Sequence, residues 1–368
     1  MTGDTTVRDV TVSVFTVPTD QPEADGTLSW TETTLVVVEP VAADTTGLGW
    51  SYAAGACATL IEDVLRDVVI GTDALDVPGT WQRMVRRCRN LGRPGIVSMA
   101  VAAVDIALWD LKAKLLGLPL CRLLGQARTD VPVYGSGGFT SYDEDTLTRQ
   151  LAHWVHELRI PRVKIKIGES WGTNPERDLA RIRTARTTIG EDADLFVDAN
   201  GGYGWGQAVW MAHAMADQDV VWFEEPVSSD DLPALAAIRA AVLPDVAAGE
   251  YGDGVHYFER MCAAGAVDCL QADVTRCAGI TEWLRAAAVA AAHGLEVSGH
   301  CAPNLHAHPA AAIPNLRHLE YFHDHVRIEN ELFDGALDPT GGTLHPDQGR
   351  PGLGLRLDRN AAEPYRRR

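Results

Sequence analysis

Valines recur among polar residues over positions 7–17 (Val7, Val10, Val12, Val14), and Thr33-Thr-Leu-Val-Val-Val-Glu39 is a second β-branched run. This patterning predicts two antiparallel strands, over 7–17 and 31–39. A polar loop from Pro18 to Gly26 joins them, and a Gly-rich turn, Thr46 to Ser51, follows. The apolar period then lengthens to that of a helix over 53–70, 79–91 and 96–116. Gly117 and Pro119 stop the last of these. Residues 1–125 therefore read as an α+β domain, strands first and a helical bundle after.

From Val131 onward, short apolar runs alternate with helix-like stretches. The predicted strands are 131–135, 162–167, 194–198, 219–224, 244–249, 268–273, 295–299 and 316–322. Eight such strands close a parallel barrel. An Ala-rich helix over 283–293 precedes the seventh. The fold class is α/β, a modified (β/α)8 barrel over 126–325 behind an N-terminal α+β domain. After 325, Gly, Pro and Asp turns replace the alternation. Residues 326–368 are expected to pack back on the first domain, with Arg366, Arg367 and Arg368 as a solvated end.

The 368 residues, 46% hydrophobic and 22% charged, are ordinary for a soluble globular protein and ample for a large core. The net charge of −18 argues against nucleic acid as a partner. No stretch approaches a membrane span, and the first residues hold no apolar leader segment. The seven cysteines are scattered, with no Cys-x-x-Cys, which suits reduced thiols in a cytoplasmic protein.

The polar residues that close the apolar runs carry the chemistry. They are Lys164 and Lys166, Asp198, Glu224, Glu250, Asp273 and His300. Spacings of 26, 26, 23 and 27 residues separate Asp198 from Glu224, Glu250, Asp273 and His300 in turn. A strand, a helix and two loops take about that length, so each residue falls at a strand's C-terminal end, where barrel enzymes place their chemistry. One acidic residue at a strand end is most often a helix cap. Three at even spacing form an oxygen-only ligand set, suited to Mg²⁺ first and Mn²⁺ second. Glu225 is the rival of Glu224; strand alternation sends one of the two inward, and the spacing favours Glu224.

Lys164 and Lys166 share a strand face, and that face is the barrel interior. At ~6.6 Å apart and an effective dielectric of ~20, their repulsion is roughly 2.5 kcal/mol, so Lys164 is expected to lower the pKa of Lys166 toward that of a base. Asp273 and His300 close neighbouring strands, close enough for the carboxylate to fix the imidazole tautomer. Glu320, on the eighth strand, is placed to hydrogen-bond a substrate. His306 and His308 read as packing residues. The three acids would hold a metal with a lysine base on one side and an imidazole base on the other. A metal-bound carboxylate between them presents its α-carbon to both bases.

Taken together, Lys164-Ile-Lys166, Asp198-Ala-Asn200, Glu224-Glu-Pro226, Gly249-Glu250, Asp273, His300 and Glu320 resemble the enolase superfamily in its mandelate racemase-like branch. The helix from Asp105 to Lys114, ending at Leu123-Leu-Gly125, is similar to that family's domain junction. The resemblance implies a capping domain on a modified TIM-type barrel, a homo-oligomer (octamers among them), and Mg²⁺-assisted removal of the proton α to a carboxylate. Lys166 would be one base and His300, oriented by Asp273, the second base or the acid. The muconate-cycloisomerase-like branch carries lysine where this chain has Asp273, so cycloisomerase and acylamino-acid racemase readings lose weight. Specificity is expected from capping segments 18–30 and 46–54, with Trp30, Trp50 and Tyr52, beside Asn200, as candidates to touch the ligand. The expected activity is dehydration of a sugar acid, aldonate or aldarate, to a 2-keto-3-deoxy acid. The alternatives are racemisation or epimerisation of a 2-hydroxy acid, and a non-catalytic metal-binding scaffold.

Overall fold

The computed structural model describes residues 4–367. Eight parallel strands form the barrel: Val131–Gly137, Arg162–Lys166, Asp194–Asp198, Val220–Glu224, Asp245–Ala248, Cys269–Ala272, Glu296–Gly299 and Leu316–Phe322. The eighth pairs with the first, Glu320 opposite Tyr134, and closes it. Each strand was legible because its outward residues, such as Val163 and Ile165, are buried against the surrounding helices. The inward residues form two layers. The lower is aromatic, with Tyr134, Phe196 and Trp222 in one cluster and the Phe196 and Trp222 rings stacked at 5.4 Å. The upper layer is charged and forms the site.

The capping domain opens with a hairpin longer than its sequence suggests. The strands Val7–Ala24 and Ser29–Ala42 pair antiparallel, with a register shift between Pro18 and Glu23. The expected 18–26 loop is therefore largely strand, and the turn is confined to 25–28. Pro18, Pro22 and the polar residues between them hide this strand, which resumes pairing after the register shift. The hairpin tip rests on the barrel mouth. A Cβ on Gly26 would lie 2.7 Å from the carbonyl oxygens of both Ala199 and Ile167, so only glycine permits this approach.

The helix Ile96–Leu116 spans its predicted length and ends on Gly117 in the left-handed conformation. Most of it is buried, because it lies between the capping sheet and the barrel. Asp105 accepts bonds from Thr281, and Asp110 accepts from the amides of Leu48 and Leu353. The 53–70 helix is broken into Ala56–Leu60, a π turn at Ile61–Leu65 and Arg66–Val69; the wider turn leaves both Ile61 and Leu65 buried.

Two expectations about the end of the chain are corrected. A helix, His323–Leu332, follows the eighth strand where turns were expected. Arg366 is not merely solvated: its guanidinium lies over the Phe15 ring at 5.1 Å, and the Arg367 amide donates to the Val14 carbonyl. Arg368 lies outside the described residues. No described helix is long and apolar enough to cross a membrane.

Candidate active site

Strand register sets the upper layer: Lys166 lies opposite Asp198, and Asp198 opposite Glu224. Asp273 and His300 follow directly on the sixth and seventh strands, and Glu250 follows the fifth after Gly249. Asp198, Glu224 and Glu250 are all buried, and each offers an oxygen within 4.8 Å of the others'. Glu224 accepts from Trp222 Nε1 at 2.9 Å, which leaves its other oxygen to Lys164. Glu250 Oε1 accepts from Arg276 at 2.7 Å, whereas its Oε2 has no hydrogen-bond partner. Three buried carboxylates with an unsatisfied oxygen make a donor set that fits a hard divalent cation.

Lys164 Nζ lies 2.5 Å from Glu224, 2.8 Å from Glu320 and 3.4 Å from Asp198. Lys166 Nζ is 2.5 Å from Asp198 and 5.9 Å from the centre of the Phe322 ring. Burial works against both ammonium charges. The carboxylates outweigh it and hold both pKa values above the usual lysine range. The expected lowering of the Lys166 pKa by Lys164 is thus corrected: Asp198 attracts more strongly than Lys164 repels. Burial lifts Glu224 to about 8, with Asp198 adding to it. For Asp198 burial acts in the same direction, but both lysines overcome it and keep its pKa low.

On the other side of the triad, His300 Nδ1 lies 2.8 Å from Asp273 Oδ2. Asp273 Oδ1 accepts from the amide and hydroxyl of Thr275, both at 2.7 Å, so the carboxylate is fixed. His300 Nε2 points toward Glu250 and Glu320, at 3.3 and 3.6 Å. Burial opposes the imidazolium, but these acids raise its pKa. Glu320 also accepts from Ser136 and from the Cys301 amide, so it is held by the first strand and by the turn that follows the seventh.

Above the triad lies a cavity of about 320 Å³, walled on the barrel side by Lys166, Asn200, Glu250, Arg276, His300 and Phe322 and on the cap side by Trp30 and its neighbours. This constellation agrees with what sequence comparison finds. Residues 9–125 match the family described as Mandelate racemase / muconate lactonizing enzyme, N-terminal domain, and residues 146–361 match Enolase C-terminal domain-like. The chain belongs to the enolase superfamily, in its mandelate racemase-like branch. A mandelate racemase/muconate lactonizing enzyme-like protein from Rubrobacter xylanophilus is 49% identical, with a TM-score of 0.95 over 98% of this chain and 99% of that one. The L-talarate/galactarate dehydratase of Salmonella typhimurium is 31% identical over 90% of this chain and 82% of its own length. Its solved structure with Mg and L-lyxarohydroxamate has a TM-score of 0.90, covering 100% of this chain and 94% of that one. A 3,6-anhydro-alpha-L-galactonate cycloisomerase of Streptomyces coelicolor is also 31% identical, over 85% of this chain and 86% of its own.

Within this enolase-superfamily fold, the capping candidates separate. Trp30 lines the cavity, its Nε1 donating to Glu23 at 2.9 Å. Trp50 does not: it is fully buried and stacks on Phe333 at 4.3 Å, because its strand turns that face toward the end of the chain. Tyr52 stands behind the cavity wall, stacked on His325 at 3.4 Å with its hydroxyl donating to Glu329. Asn200 lines the cavity, and its amide nitrogen in the main chain donates to Asp198.

Glu225 is not sent outward as strand alternation predicts. The strand ends at Glu224, and Glu225 adopts φ +37°, which keeps it buried with Oε1 unpartnered. Burial, then the charge of Glu250, pushes its pKa well up. His306 and His308 are structural, each bonded to main-chain groups. Sequence reading missed Arg276, Cys301 and His325 in the cavity wall. Arg276 carried one signal: it sits three residues beyond Asp273, at the start of the loop that faces the mouth.

Proposed function

We propose that this protein is an acid-sugar dehydratase that removes the proton α to a carboxylate and expels the β-hydroxyl, giving a 2-keto-3-deoxy acid. One observation carries the reading: a buried carboxylate triad has Lys166 on one side and an Asp273-oriented imidazole on the other. Asp198, Glu224 and Glu250 would hold Mg²⁺, with Mn²⁺ second. Bound there, the ion supplies Lewis-acid stabilisation of the enolate.

Lys166 or His300 would take the α-proton, each from its own face; Lys166 does so from its neutral form, which a divalent cation on the triad would favour by offsetting the Asp198 charge that otherwise holds the lysine proton. The Asp273 bond keeps the proton of neutral His300 on Nδ1 and leaves Nε2 free to accept. Once protonated at Nε2, His300 returns that proton to the departing hydroxyl, which leaves as water. Lys164, bridging Glu224 and Glu320, places a fixed positive charge beside the developing anion. Glu320 holds that lysine and the Cys301 turn in place. Phe322 and Trp30 restrict water.

The relatives named as dehydratases support elimination over racemisation by analogy. Racemisation of a 2-hydroxy acid remains the second reading, because two opposed bases serve it equally well; a solved structure of a Streptomyces coelicolor racemase with bound magnesium shares the fold at 29% identity. A ring-ether oxygen at the β-position would leave by the same step, which accommodates the cycloisomerase relative. The seven buried, unbridged cysteines support a cytoplasmic setting, and assembly into a homo-oligomer belongs to the same proposal. The test is incubation with Mg²⁺ and a sugar-acid panel, followed by mass spectrometry. A keto product lighter by one water supports dehydration. An epimer of unchanged mass replaces it with racemisation.

A further inference from the structure

The two ends of the cavity differ in charge. Lys166 and Arg276 are the only lysine or arginine among the described residues that line it, and both belong to the barrel. Arg276 is already engaged, 2.7 Å from Glu250 and 3.6 Å from Asp273. At the cap end the charged lining residues are acids: Asp25, Glu32 and Asp324. Asp25 Oδ1 accepts from the amides of Thr27 and Leu28, which fixes the hairpin turn. Asp324 accepts from Thr33 and from Arg327, a residue outside the lining.

Thr33 also lines this end but gives its hydroxyl proton to Asp324, which leaves His325 as the other polar side chain here. Its Nδ1 accepts from the Ala302 amide at 3.2 Å, so the ring proton sits on Nε2. Burial pushes its pKa down to about 3, and the ring is therefore a neutral donor. This wall offers carboxylate acceptors and one neutral N–H. Such a wall suits hydroxyl groups, which both donate and accept. A second carboxylate placed there would lose water without meeting a free cation.

Resting on the dehydratase reading above, we infer that the substrate is a monocarboxylate with a neutral polyhydroxy tail, an aldonate and not an aldarate. The single carboxylate lies at the barrel end. The tail runs toward the hairpin, where Trp30 and Phe322 flank its C–H faces and His325 and the acids take its hydroxyls. The chain would differ in this respect from its talarate/galactarate relative.

The experiment compares matched pairs with Mg²⁺ in D₂O, such as gluconate with glucarate and galactonate with galactarate. The readouts are α-proton exchange and kcat/KM for keto-acid formation. For the best pair, the aldonate is expected to exceed the aldarate by about 100-fold in kcat/KM. Glu32→Lys, at an exposed position, is expected to shift that ratio about tenfold toward the aldarate. An aldarate turned over as well as its partner overturns the inference while leaving the dehydratase reading intact. Exchange with neither member of any pair overturns both.

Discussion

Replacing Asp273 by Asn would separate the two proposed bases, Lys166 and His300. The substitution keeps the shape of the side chain, and an Asn oxygen can retain both bonds from Thr275, each 2.7 Å long in the wild type. Its amide nitrogen then faces His300 Nδ1 in place of the carboxylate oxygen now 2.8 Å away. An amide donor there makes Nδ1 the acceptor and moves the ring proton to Nε2, so His300 can no longer accept a proton at the cavity. The imidazolium also loses its partner. With about 4 Å between charge centres and an effective dielectric of about 20, that attraction is about 4 kcal/mol, or roughly three pK units. Keto-acid formation should fall about 10³-fold, within the range of a wrong-tautomer histidine. Exchange in D₂O from the Lys166 face should stay within about threefold, because Lys166 lies across the triad from the altered pair. NMR on both α-epimers measures the two faces separately, and a melting curve checks the fold. Equal loss of exchange from both faces in a folded variant would refute the division of labour between Lys166 and His300.

Lys166→Ala should show the mirror image, with exchange retained only from the His300 face, as the same epimer pair measured by NMR will show. Glu23 is buried beside Trp30, and burial, then Asp324 and Asp20, lifts its pKa from 4.5 to about 9. The folded state thus holds a proton that the unfolded chain releases, and stability falls by up to about 1.4 kcal/mol per unit as pH rises between those values. Glu23→Gln should flatten the decline of Tm from pH 6 to 9; an unchanged slope contradicts it. His308 behaves oppositely: burial lowers its pKa from 6.5 to about 4, so its neutral form supports the fold above pH 6.5 and that support is lost as pH falls toward 4. His308→Gln should narrow the difference in urea midpoint between pH 7 and 5.

The barrel was legible because its strands alternate between helix-facing residues such as Val163 and Ile165 and interior ones such as Lys164 and Lys166. The same periodicity delivered each acid to one end of the barrel. What escaped depends on contacts distant in sequence. Nothing local distinguishes Trp30, over the cavity, from Trp50, against Phe333; that choice is made where the end of the chain meets the capping sheet. Alternation failed at Glu225 because one left-handed residue ends the strand. The repulsion between the lysines was real but smaller than the attraction of acids on neighbouring strands, which a single-strand argument omits. His325 was hidden because the eighth strand runs straight into a helix whose start carries no side-chain cap.

Removal of the α-proton of a bound sugar acid is proposed to depend on a metal held by Asp198, Glu224 and Glu250. The most direct measurement is the loss of that proton's NMR signal in D₂O, with Mg²⁺ and again after removing it with a chelator. Exchange is expected for at least one sugar acid, abolished by the chelator and restored by added Mg²⁺ or Mn²⁺. Exchange that persists undiminished after the metal is removed, or that survives Asp198→Asn with Glu250→Gln, would contradict it.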